Sequence, residues 1–337
     1  MSIQHTLLSL ETLSADAQRA LAPGPAKMMA ARGLAPLANP ADLATVLYQL
    51  AHDDSSGIAE AAAQSATALP EHILAAALAD TSLDARVLDY FATGPAKDKS
   101  ELLELVILNS ASSDETIADL AGRSGAKLVD MIAQNEQRLL RHSGIIGAMY
   151  LNRSARMSTI DRAVELAIRN DVKVSEIPAW DELVAAVMQS GKKGVVEEPE
   201  GPDADELFER AAHAAEVRGG EIVEVEEAAE EPEEIPISQM TVPMKIRLAA
   251  LGNAFARSQL IRDPIRMVAM AAVKSPGIKD SEAMKHASNN SLHEDVIAYI
   301  ARKREWTKMY SVKLALVSRA PSRMASDRSA PSSRAPT

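Results

Sequence analysis

Apolar residues return at helical spacing in one short segment after another, and each run is cut off after about three turns. Leu43, Val46, Leu47 and Leu50 form such a stripe, as do Ile73, Leu74, Ala77 and Leu78. Leu102, Leu105, Val106 and Leu108 make the next, and Ile160, Val164, Leu166 and Ala167 another. Starts are marked at Pro40, Pro70, Ser100, Ser113–Asp114 and Ser158–Thr159, where a capping side chain or a missing N–H suits a helix N-terminus. Stops are marked by Gly94, Gly122 and Gly125 and by Asn109, Asn135, Asn152 and Asn170. The asparagines are expected to end helices in the left-handed conformation. Such a chain has to bury helix against helix, and its composition helps: aromatics are only 3% of residues. Alanine is abundant, and small helix formers let helices approach closely.

Weak self-similarity gives these helices an order. HDDSSGIAEAAAQSATALPEHILAAALA (52–79) aligns with RDPIRMVAMAAVKSPGIKDSEAMKHA (262–287) as acidic turn, apolar helix, Pro-containing turn and second apolar helix. NNSLHEDVIAYIARKREWTKMYSVKLAL (289–316) repeats that order with different turn chemistry, and a Gly-Pro-Ala-Lys tetrapeptide occurs at 24–27 and 94–97. Periods of about 20 to 50 residues point to stacked helical hairpins, because one hairpin cannot bury its apolar face alone. The expected fold is all-α, an α-solenoid, with an irregular helical bundle as the alternative.

The runs IADLA…LVDMIAQNEQRLLRHSGIIGAMYLNRSARMSTIDRAVELAIRN (117–170) and MKIRLAALGNAFARSQLIRDPIRMVAMAAVKSPG…LALV (244–317) carry a resemblance. They resemble an uncharacterised group of bacterial HEAT-like proteins, over most of residues 25–190 and 240–317. The resemblance implies an all-α repeat fold and brings no active site with it. One departure is that the relatives continue after the last helix with an Asn-Pro-Lys-Thr-Pro turn and a further helix, where here Ser318 leads into RAPSRMASDRSAPSSRAPT.

Charge divides the 337 residues into three blocks under a formal net charge of −11. Residues 195–236 hold 16 acidic and two basic side chains with four prolines, and read as a solvated linker. Within it, ADELFERAAHAAEV (204–217) could form a short docking helix with Leu207, Phe208 and Ala211 on one side. Residues 237–337 carry 17 basic and seven acidic groups, net +10, so a basic C-terminal part hides behind an acidic average. The linker could therefore fold back on it and mask it. The expected organisation is an N-terminal segment (1–24), a helical repeat domain (25–194), the acidic linker (195–236), a basic helical repeat domain (237–317) and a disordered tail (318–337).

Catalytic signals are weak. The absence of cysteine excludes disulfides, thiol catalysis and Zn–thiolate sites and fits a reducing cytoplasm. No serine sits in a Gly-x-Ser-x-Gly elbow, and Gly94–Ser100 lacks the second glycine and preceding strand of a phosphate loop. No two histidines lie i, i+4. His52 beside Asp53 and Asp54 is the nearest approach to a ligand cluster and reads as a solvated cap. Glu282 and His286 read as a surface pair, and Asp114–Glu115 and Asp181–Glu182 as helix-start charges. MSIQHTLLSLETL lacks a basic n-region and a long apolar run, so no secretory signal is expected, and no apolar run is long enough to span a bilayer.

The reading is a cytoplasmic, non-enzymatic scaffold for a protein partner, with no cofactor, metal or small-molecule substrate. Nucleic-acid or other polyanion binding through the basic part is the alternative. The candidate surface comprises Arg138, Arg141, Lys245, Arg247, Arg257, Arg262, Arg266, Arg302, Lys303 and Trp306, with Tyr299 and Trp306 fitting a core role as well as a stacking one.

Overall fold

The computed structural model describes residues 5–192, 204–219 and 237–318, without side-chain detail for 190–192 and 217–219. Most of the acidic stretch and the tail lie outside the described residues, and with them the expectations of a solvated linker and a disordered end. The described residues are all-helical and hold no strand. The helices are α1 (Ala15–Leu21), α2 (Pro25–Ala31), α3 (Pro40–Ala51), α4 (Ser56–Thr67), α5 (Glu71–Leu78), α6 (Ala85–Thr93), α7 (Ser100–Leu108), α8 (Asp114–Arg123), α9 (Ala126–Ala133), α10 (Glu136–Arg141), α11 (Gly144–Leu151) and α12 (Met157–Arg169). After them come α13 (Trp180–Lys192), α14 (Ala204–Gly219), α15 (Val242–Leu251), α16 (Ala254–Leu260), α17 (Arg266–Lys274), α18 (Asp280–Ala287), α19 (Glu294–Arg302), α20 (Arg304–Thr307) and α21 (Tyr310–Ser318). Contacts divide the chain into two compact units, Met1–Val174 and Ser175–Thr337.

In the first unit α3 packs on α5, α5 on α7 and α7 on α9, while α8 packs on α11. The core is built from the stripes legible in the sequence: Val46, Leu47, Leu50, Leu74, Leu78, Leu102, Val106, Ile160 and Val164 are all buried. Leu108 departs from its stripe and is 70% exposed at the end of α7. In the second unit α13 packs on α15 and α17, and α17 on α19. α14 lies against α16 with Leu207, Phe208, Ala211 and Ala215 buried, the face expected for a helix within the acidic stretch.

One turn recurs after helices in both units. Asp53, Asp80, Asn109, Asn152, Asp263 and Asn289 each accept, through the side-chain Oδ1, the backbone N–H two residues on. Such Asx turns reverse the chain with a short polar side chain in place of a backbone hydrogen bond.

Asn109, Asn152 and Asn170 end α7, α11 and α12 as expected, but none of them does so in the left-handed conformation. Asn109 (φ −72°, ψ 123°) and Asn152 (φ −84°, ψ 116°) are extended, and both are buried. An extended backbone lets the amide turn back under the preceding helices: Asn109 Nδ2 donates to the carbonyls of Leu78 and Asp80, and Asn152 Nδ2 to those of Ala121 and Ser124. Asn135 serves as the N-cap of α10. Among the described residues, the left-handed conformation at a non-glycine falls on Asp171 alone (φ 54°), one residue past Asn170.

Candidate functional site

Aromatic and imidazole rings, scarce in the chain, gather on one face of the first unit. VLYQLA in α3 and RVLDYFA in α6 each place polar groups inside an apolar helical run, and α3 and α6 are in contact. The Tyr48 ring lies 4.7 Å from His52 and 5.6 Å from Tyr90, and His52 lies 5.6 Å from Tyr90. The His5 ring stacks on His52 at 5.5 Å and 18°. His52 also has Nδ1 2.8 Å from the Tyr48 carbonyl.

Residues 5–8, which form no helix, are held against this face by side chains of α3 and α6. Gln49 takes both backbone groups of one residue: the Leu8 N–H donates to Gln49 Oε1 (2.8 Å), and Gln49 Nε2 donates to the Leu8 carbonyl (2.8 Å). The Tyr48 hydroxyl donates to the Thr6 carbonyl (2.9 Å). Arg86 Nη1 reaches the Thr6 hydroxyl (3.0 Å) and the carbonyls of Thr6 and Leu7. Asp84, the N-cap of α6, aims that guanidinium by accepting from Arg86 Nε (3.0 Å) and Nη2 (3.1 Å). Leu8 is 6% exposed, a burial worth roughly 1.5–3 kcal/mol for a leucine side chain.

Asp89 closes the far end. Its carboxylate is 3% exposed, accepts the Thr116 hydroxyl through Oδ1 (2.6 Å) and faces His5 Nε2 through Oδ2 (3.1 Å). That second contact is close but is not a hydrogen bond. Burial pushes the Tyr48 and Tyr90 phenols up, Arg86 opposing and Asp84 and Asp89 reinforcing the shift at Tyr48. Tyr48 therefore stays a protonated donor at neutral pH, as its bond to Thr6 requires. The Arg86 guanidinium beside Asp84 outweighs burial and holds that carboxyl below the usual range.

The ten residues named from sequence are spread over both units. Arg138 is buried, donates to the Ser112 carbonyl (3.2 Å) and lies 3.4 Å from Asp114, which also accepts Arg141 Nε at 2.7 Å. Arg141, aided by Arg138, holds the Asp114 carboxyl down against burial. Lys245 pairs with Asp263 at 2.9 Å. Arg247 is fully buried, with its guanidinium carbon 4.8 Å from the Phe208 ring centre. Arg257 forks onto Glu282 (3.0 and 2.8 Å) and donates to the Gly252 carbonyl. A Cβ at Gly277 would stand 2.9 Å from Arg257 Nη1, the atom that donates to Gly252, so the turn before α18 has glycine where the guanidinium passes.

Arg266 pairs with Asp295 at the surface, and Arg262 and Arg302 are exposed. Lys303 lies 4.1 Å over the ring of Trp306, which is 2% exposed and meets Tyr299 edge-on, the core placement rather than a stacking one.

Glu282 and His286 are not the surface pair expected from their spacing. Glu282 is committed to Arg257, whose hydrogen bonds hold its carboxyl down against the opposing effect of burial. His286 is buried with no hydrogen-bond partner on Nε2. Burial holds its imidazole below the ordinary value; Glu282 opposes this, while Arg262, Arg257 and Lys285 add to it.

Sequence spacing marks His52, beside Asp53 and Asp54, and does not mark Gln49, Arg86, Asp89 or His5. Their signal is a polar residue at a buried helical register, Gln49 amid VLYQL and Asp89 amid VLDYF. No group of three or more metal-binding side chains occurs among the described residues, and no described helix is long and apolar enough to cross a membrane. No family model matches the chain, and neither a curated protein nor a solved structure matches it with significance.

Proposed function

We propose that this chain is a non-enzymatic scaffold whose helices stack as hairpins of an α-solenoid and present an extended surface to a protein partner in the cytoplasm. The observation that carries the reading is the recurrence of one sequence interval in its cross-links. Asn109 reaches back 31 and 29 residues, Asn152 31 and 28, and Thr116 27, to Asp89. Thr159 reaches back 29, to Asp130, while Arg266 and Arg257 reach forward 29 and 25. A repeated interval near thirty residues is what stacked helical hairpins produce, each bonded to the next.

Affinity capture of the tagged full-length chain from its native cells, with and without nuclease, tests the reading. A stoichiometric, nuclease-resistant protein is the expected result; recovery of nucleic acid alone overturns it.

Polyanion binding is a second reading, supported by the exposure of Arg302, Arg304, Lys308 and Lys313 on and around α19–α21. It predicts affinity that falls with salt by about 0.9 log units per tenfold rise for each phosphate contacted.

A further inference from the structure

We propose that the α3–α6 face is a docking groove for an extended peptide segment of the partner protein, and that residues 5–8 are a built-in occupant which the partner segment displaces. The proposal rests on the scaffold reading and names the chemistry that one of its surfaces recognises.

The direction of the hydrogen bonds carries the argument. On the groove side they come from side chains: the Gln49 amide, the Tyr48 hydroxyl and the Arg86 guanidinium. On the segment side they end mostly on backbone, at the Leu8 N–H and carbonyl and at the Thr6 and Leu7 carbonyls. Main-chain groups are common to every peptide, so these contacts fix the course of a segment without demanding its sequence. Sequence is read at two places. Leu8 is buried while Leu7 beside it is 55% exposed, so one position asks for a leucine-sized apolar side chain. Three residues earlier, the Asp89 carboxylate faces the His5 imidazole beneath the stacked His52 ring, a setting that favours a cationic or imidazole side chain. The partner segment is therefore non-helical, with a basic or histidine residue three positions before a leucine.

Residues 5–8 are tethered to the groove they fill, and a tethered ligand acts at an effective concentration in the millimolar range for a short linker. A free peptide must compete with that, so its apparent affinity is reduced by the fraction of molecules whose groove is open. Weakening the tethered segment should raise the affinity for the same segment supplied in trans.

The test is fluorescence anisotropy with a fluorescein-labelled peptide of residues 3–12 (IQHTLLSLET) and the full-length chain. The Leu8→Asp variant should bind the peptide at least about tenfold more tightly than the wild type. Adding Gln49→Ala should abolish that gain, and a peptide carrying aspartate at the Leu8 position should not bind. A folded Leu8→Asp variant with no gain overturns the proposal, as does equal binding of the aspartate peptide. Circular dichroism reports folding. Should Leu8→Asp lose helicity, the milder His5→Ala/Leu8→Ala pair replaces it with a smaller gain expected; loss of helicity in that variant as well shows residues 5–8 to be a structural strap and overturns the proposal.

The two readings fail separately. If the Gln49→Ala chain captures the same cellular protein as the wild type, the scaffold stands and the groove falls. Peptide binding by Leu8→Asp without any nuclease-resistant cellular protein leaves the groove standing and overturns the scaffold.

Discussion

The two units carry the same Asx turns but lock their helices together with different chemistry. In the first unit buried amides and hydroxyls cross-link the helices, Asn109 and Asn152 on backbone carbonyls and Thr116 on Asp89, beside one buried ion pair, Arg138–Asp114. In the second, ion pairs are the more numerous of the cross-links described, Arg257–Glu282, Lys245–Asp263 and Lys274–Glu182, the last at 2.7 Å, beside the Asn253 amide on the Ala215 carbonyl. The basic excess of residues 237–318 is thus spent in part inside the unit. Charge counting places eight of the ten candidate surface residues in that region, yet the face where side chains reach for a non-helical segment lies in the acidic first unit.

The sharpest way to break this contrast is to remove one charge. Arg257→Ala leaves Glu282 in a partly buried site without its fork, and should destabilise the second unit by about 3 kcal/mol, because a buried ion stripped of its partner keeps its desolvation penalty. Hydrogen exchange over residues 242–318, read beside residues 40–169, checks that the loss stays in the second unit.

Asn109→Ala and Asn152→Ala test the neutral side. Each strands two carbonyls and should cost the first unit about 1–3 kcal/mol in thermal or urea unfolding. A loss that grows with salt would place charge in these two locks and erase the contrast.

Acid should separate the units further. The His286 imidazole titrates below its ordinary 6.5 in the folded chain, so the unfolded chain takes up its proton first. The second unit's stability is therefore full above 6.5 and falls as pH drops below it, and His286→Gln should flatten that slope. Below the ordinary 4.5 of Glu282 a second decline sets in as the carboxylate held by Arg257 is protonated, and Arg257→Ala should remove it. Unfolding midpoints across pH 4–7 (about three units around these ordinary values) check both slopes. The smallest effect belongs to the exposed pair: Asp295→Asn should leave the midpoint unchanged within error, since surface pairs contribute little.

The helices were legible because their information is local. Ser113 caps α8 and Pro40 opens α3 where capping and proline rules place them. Acidic turns at Asp53 and Asp263, read as parallel features of two distant segments, have the same hydrogen bond in the structure. What sequence concealed is which polar groups find each other across space. Asn109 reads as punctuation, which it is, and only the fold shows that it also holds the Leu78 and Asp80 carbonyls; Arg257 reads as a surface cation until Glu282 arrives 25 residues later. The groove was obscured for the same reason. His52 stood beside two aspartates in sequence, and its neighbours in space are Tyr48, Tyr90 and His5.

The interval of these cross-links also bears on how the chain is born. A bond that closes a loop of about thirty residues forms soon after its second partner is synthesised, and chains rich in such local closures fold quickly. Residues 5–8 break that rule. Their contact with Gln49 spans 41 residues and that with Arg86 spans 80, so a segment made before α3 must wait for α6 before it can settle. On the ribosome the α3 half of the groove precedes its latch, and for that interval the nascent chain offers both the surface and the segment that will cover it.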